Sequence, residues 1–278
     1  MVRKIFPVSL WYLVVGQALQ SLALSALSLA LVFVGVEESN PTGIGFILAA
    51  RTLPTIGLAL VGGIAADKCN RVRLASSTLI LSGGVHIVLA LCLFRYGLGW
   101  QVYAVSFTTG LIGAFGSPSL YSLLPSIIPA AQNVSANALV RGARNFMAVI
   151  GPALAGILIP ICGYNIIFIA IAVLTILAGV AVACIRYEPH EESHVADTNV
   201  DDRSIGARYL SEKYPWFLFS ILMWAALLSV ESGASSVTLP FVFLEAGSQS
   251  QWSFVISATS LGYIIVQQFW CRCRYVGI

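Results

Sequence analysis

Charge is what this sequence has least of. Only 10% of its 278 residues are Asp, Glu, Lys or Arg, while 58% are hydrophobic; a soluble globular domain carries about 25% charged residues. Such a chain cannot hide its apolar surface from water, which excludes the soluble globular class and leaves a polytopic membrane protein. The net charge of +3 is too small for a nucleic-acid partner, which needs a concentrated basic face. There is no phosphate-binding P-loop, so ATP-driven chemistry is not expected. Cys69, Cys92, Cys162, Cys184, Cys271 and Cys273 are scattered rather than patterned as a disulfide framework. Cys271 and Cys273 form a CxC with no second half, so neither a metal nor a cofactor is expected. His190 and His194 lie among carboxylates in a polar stretch where nothing would fix ligand geometry. No nucleophile stands with a base on neighbouring spans, so the chain is not read as an enzyme.

What the sequence does have is apolar length. About 20 apolar residues cross a bilayer, and eight stretches qualify, near 8 to 36, 43 to 66, 74 to 94, 100 to 124, 137 to 161, 164 to 185, 215 to 244 and 252 to 270. An all-α membrane bundle of about eight helices follows. Residues 187 to 214 are acidic and polar, and read as a linker between a six-helix bundle at 1 to 186 and a partial second bundle of two helices at 215 to 278. The apolar part of the first span is about twice as long as a signal-peptide core, so it is read as a retained helix. With the amino terminus in the cytoplasm, 13 of 15 Lys and Arg fall on the cytoplasmic side, leaving Arg95 outside and Arg51 within a span. Arg141 and Arg144 are counted there with the cytoplasmic ends.

The stretch "GGIAADKCNRVR", residues 62 to 73, gathers charge at the end of an apolar run. Gly62 and Gly63 let another helix come close, because a missing side chain permits backbone contact. Asp67 stands at a helix carboxyl end, where negative charge is unfavourable unless a cation or another helix's amino terminus answers it. Lys68, Arg71 and Arg73 follow in the turn. Further on, "GPALAG" places Pro152 beside Gly151 and Gly156, a bend with small neighbours where a second helix can pack.

The 62 to 73 loop resembles the signature between the second and third helices of the major facilitator superfamily. Asn70 departs from it, standing where glycine is usual; asparagine tolerates a left-handed backbone, so the turn is expected to survive. Residues 125 to 163 are similar to the fifth helix of the superfamily's proton-driven exporters. "ILAARTLPTIGLALVGGIAAD" resembles the second span of the branch that contains the enterobactin exporter and related drug efflux proteins. The resemblance implies a helical carrier in the plasma (inner) membrane, working by alternating access between two six-helix halves. It implies a small-molecule substrate, drug-like or siderophore-like, with protons as the coupling ion. It also implies a gate at Gly63, Asp67, Lys68, Arg71 and Arg73, and a helix bend at Gly151, Pro152 and Gly156.

Charged residues inside a span usually mark a pathway or a paired site. Arg51 either faces a cavity and binds an anionic group or snorkels to the outer interface. Glu231, mid-span in "LLSVESGASS", either exchanges a proton or is hydrogen-bonded to Ser229 or Ser232 at a helix break. His86 reads as a packing histidine, and Gln17, Gln20, Asn145, Gln267 and Gln268 as cavity lining or as glue between helices. Four helices of a full carrier are missing after "FWCRCRYVGI". A truncated, non-transporting remnant is therefore the alternative, with an oligomer or a missing carboxyl-terminal half as partner.

Overall fold

The computed structural model describes residues 6–38, 40–129 and 132–185, with isolated helical positions between 216 and 262. Apart from those positions, the expected linker, the two later spans and Glu231 lie outside the described residues. Among the described residues there are seven α-helices: α1 (Val8–Glu37), α2 (Pro41–Gly57), α3 (Ala59–Lys68), α4 (Arg71–Tyr96), α5 (Trp100–Ile127), α6 (Asn133–Cys162) and α7 (Tyr164–Ala183). The first six expected spans are met in order, with α2 and α3 together making the second.

That second span departs from the single helix expected. It is interrupted at Leu58, whose backbone sits at φ −103° and ψ 6°. The cause is local: Pro54 lies inside α2, where it lacks an N–H and crowds the preceding turn, and Gly57 weakens the helix just before the break. The Gly62 N–H still donates to the Leu58 carbonyl at 2.8 Å, so hydrogen bonding carries across.

Four helices, α1, α4, α6 and α7, are long and apolar enough to cross a membrane by themselves. Large apolar side chains such as Leu91, Phe94, Ile161 and Ile169 point outward, a surface that water would reject and lipid accepts. This is a multi-pass helical membrane bundle. Within it α1 packs on α6 and α7, α4 on α5 and α7, and both α2 and α3 on α5. In contrast α5 barely touches α1 or α6, and a cleft opens along that seam.

Lipid gives helices no hydrophobic reason to associate, so close packing through small residues has to hold them. At Gly110 of α5 a Cβ would strike the Arg51 carbonyl and Pro54 of α2. At Gly62 of α3 it would strike the Ala114 carbonyl of α5. Thr55 reinforces the first contact, its hydroxyl reaching the Arg51 carbonyl at 3.1 Å and the Gly110 carbonyl at 3.0 Å. Gly151 does the same for α6, seating it against Ser25 and the Leu22 carbonyl of α1. Pro152 and Gly156 are buried nearby, and α6 runs unbroken through the proline.

Two apolar clusters result. One joins Leu27, Leu31, Leu89, Leu93, Phe168 and Ile171; the other joins Leu10, Leu13, Leu79, Leu123, Val140 and Val182 at the opposite end of the bundle. Replacing Gly110 with alanine should lower the thermal unfolding midpoint of the purified chain, since overpacking a tight contact costs about 1–3 kcal/mol. Gly84→Ala, on a face of α4 with no neighbour within 4 Å, should leave the midpoint unchanged or raise it. Equal effects at the two positions would contradict the packing described.

Candidate functional site

Between the two apolar clusters lies a polar belt. One chamber, about 370 Å³, is lined from five helices by residues that include Gln20 and Ser28 of α1, Arg51 and Thr55 of α2, His86 of α4, Ser117 of α5 and Thr175 of α7. A second chamber of about 300 Å³ shares Gln20, Ser28 and Ser117 with it and adds Gln17, Tyr121 and Arg144. A third, about 530 Å³, continues from Gln17, Tyr121 and Arg144 to Asn137, Arg141 and Asn145. Because neighbouring chambers share walls, they form one cleft, running along the seam where α5 stands away from α1 and α6.

Most hydroxyls in this cleft have their protons committed to backbone. Ser28 donates to the Leu24 carbonyl at 3.0 Å, Thr52 to Leu48 at 2.7 Å and Thr109 to Ser106 at 2.6 Å. A hydroxyl has one proton and two lone pairs, so the wall these residues offer is made of acceptors. His86 is 2% exposed, with Nδ1 3.4 Å from the Thr175 hydroxyl oxygen. That hydroxyl already donates to the Ile171 carbonyl at 2.7 Å, so His86 Nδ1–H is the donor of the pair. Packing and hydrogen bonding thus account for His86, which also faces the chamber that holds Arg51.

Arg144 was counted with the cytoplasmic ends and not singled out as a cavity residue. It lies eleven residues, about 16 Å, into α6 (Asn133–Cys162) and lines the cleft. Its Nη2 donates to the Tyr121 hydroxyl at 2.8 Å and its guanidinium carbon is 4.9 Å from the centre of that ring. Its backbone carbonyl accepts from Ser21 at 2.8 Å, tying α6 to α1. Arg51, Gln17, Gln20 and Asn145, singled out from the sequence, all line the cleft. The serines and threonines did not stand out, because such residues are common in membrane helices.

The 62 to 73 loop lies apart from this cleft. The backbone of Asp67 and Lys68 forms the last turn of α3, and Arg71 opens α4. Gly63 has no described neighbour within 4 Å, whereas Gly62 is packed on α5; of the glycine pair, only Gly62 meets another helix among the described residues. The left-handed turn expected at Asn70 is not formed. Asn70 has φ −62° and ψ 112°, and its side chain accepts from the Arg73 N–H at 3.1 Å. It caps α4, satisfying a donor that glycine would leave open. Asp67 at the end of one helix, and Arg71 and Arg73 at the start of the next, all oppose their own helix dipoles.

Residues 13–272 match the family model of the Major Facilitator Superfamily. Macrolide efflux protein A of Streptococcus pyogenes is 27% identical over 177 residues, covering 62% of this chain and 43% of that protein. The form of that protein in a serotype M6 strain matches at the same identity. The chain therefore spans less than half the length of the curated relatives it matches. Among solved structures, a POT family transporter in complex with a thioalcohol-conjugated peptide superimposes with a TM-score of 0.54 at 13% identity, over 81% of this chain and 47% of that one.

Capping at Asn70 is directly testable. Asn70→Ala should cost about 1 kcal/mol of stability, while Asn70→Ser should be nearly neutral; thermal unfolding of the purified variants reads the difference. A rise in stability on Asn70→Gly would instead indicate a left-handed turn.

Proposed function

Because the chain belongs to the Major Facilitator Superfamily and so to a class of membrane transporters, we propose that it is an efflux carrier for an amphipathic small molecule, drug-like or siderophore-like. The observation that carries this reading is the polar cleft held between two apolar clusters. A solute bound there would be shielded from both ends until the bundle rearranged. Alternating access needs a second bundle facing the first, supplied by residues 215 to 278 with further helices from a longer polypeptide or a second copy. The amino terminus and the 62 to 73 loop would face the cytoplasm in the cell membrane.

In this reading Gly63, Asp67, Lys68, Arg71 and Arg73 form the gate. Asp67 lies at the carboxyl end of α3 and Arg71 and Arg73 at the amino end of α4, where a facing helix end of the opposite sign would be attracted to them. Gly151, Pro152 and Gly156 hold α6 against α1 beside the cleft, a small-residue contact that can slide. Arg51 serves the substrate, and Glu231 carries the coupling proton.

Cells expressing the chain should accumulate less of at least one compound in a panel of a macrolide, a cationic dye and an anionic dye. An uncoupler should abolish the difference, and Asp67→Asn should reduce it at least severalfold. If accumulation equals that of empty cells for the whole panel, with the protein confirmed in the membrane, the carrier reading fails for this chain and the non-transporting remnant takes its place.

A further inference from the structure

The cleft has three fixed cations and, among the described residues, no anion. Arg51, Arg141 and Arg144 line its chambers, and no described aspartate or glutamate does. Glu38, the acidic residue whose side chain is described, is engaged elsewhere: both its carboxylate oxygens accept the Leu98 N–H at 3.0 Å. Arg144 has a neutral partner in Tyr121. Arg51 is ten residues from the start of α2, about 15 Å along an apolar helix. A guanidinium within a membrane-spanning segment is costly without a counter-charge.

We infer that the cleft selects an anionic amphiphile, with a carboxylate, sulfonate or phosphate anchored on Arg51. The inference rests on the carrier reading above, which it narrows to a substrate class. The surroundings fit an anion with hydrogen-bond donors beside it. The planar guanidinium can give an oxyanion two parallel N–H bonds, and around it Thr52, Thr55 and Thr109 present acceptor lone pairs, their protons being committed to backbone carbonyls. A molecule carrying its anion near hydroxyl or amide groups satisfies both. A cation would meet the like charges of Arg51, Arg141 and Arg144, and water in the cleft screens partly buried charges less than it screens exposed ones.

Carboxyfluorescein and rhodamine 6G are xanthenes of similar size and opposite charge, which makes them suitable probes. With the full chain in phosphatidylcholine nanodiscs and empty nanodiscs subtracted, fluorescence polarisation should give a Kd at least about tenfold lower for carboxyfluorescein. Arg51→Gln should raise that Kd about tenfold or more and leave rhodamine 6G unaffected, while Arg51→Lys should keep most of the affinity. Thermal unfolding of both variants checks that they fold, and Arg51→Lys separates lost charge from lost structure. Rhodamine 6G binding as tightly as the anion, an unchanged Kd in Arg51→Gln, or no carboxyfluorescein binding to the native chain would each overturn the inference. Carboxyfluorescein that binds but is not expelled from loaded cells would sink the efflux reading and support charge selection. Equal expulsion of both dyes would keep the efflux reading and overturn charge selection.

Discussion

The close approach of α5 to α2 at Gly110 fixes more of this molecule than any other contact. A side chain there would collide with the Arg51 carbonyl, so the absence of one lets the two backbones meet. Thr55 then bridges the same two carbonyls. Together these contacts set how α2 is turned about its axis, and with it the direction of the Arg51 side chain into the cleft. Gly62 repeats the device one helix segment later on Ala114, and the break at Leu58 lets α2 and α3 each follow α5 at its own angle.

A polar cleft inside an apolar bundle has to satisfy its own groups. Here most wall hydroxyls bond to the carbonyl three or four residues earlier in the same helix, which meets the demand locally and needs no partner helix. The wall can therefore open or close without leaving hydroxyl protons unpaired. Between helices the polar ties are fewer and specific: Ser21 to Arg144, Arg144 to Tyr121, His86 to Thr175, Thr55 to Gly110 and Gln17 to Leu120. The two apolar clusters above and below supply the packing that these ties do not.

Six helical spans and their order were legible because lipid imposes a length and a hydrophobicity that composition displays. Arg51, Gln17, Gln20 and Asn145 stood out because polar groups are rare in such spans, but the sequence left open whether they line a cavity, join helices or, for Arg51, reach the interface. Three features were not legible. The break at Leu58 needs Pro54 and Gly57 to act together, and each alone is commonplace in a membrane helix. Arg144 was counted among cytoplasmic charges, and its place in the cleft beside Tyr121 depends on which face of α6 turns toward α5. At Asn70 the resemblance suggested a replaced glycine, while the side chain serves as a cap, a role that depends on the register of α4.

The central claim is that the belt between the apolar clusters is open to water at mid-depth, and thiol accessibility measures this most directly. In a chain whose six native cysteines are replaced by serine, Ser28→Cys and Ser117→Cys should react readily with a soluble maleimide in native membranes. Leu89→Cys, inside an apolar cluster at 1% exposure, should stay unreactive under the same conditions. Labelling of Ser28→Cys and Ser117→Cys no faster than Leu89→Cys would contradict the account.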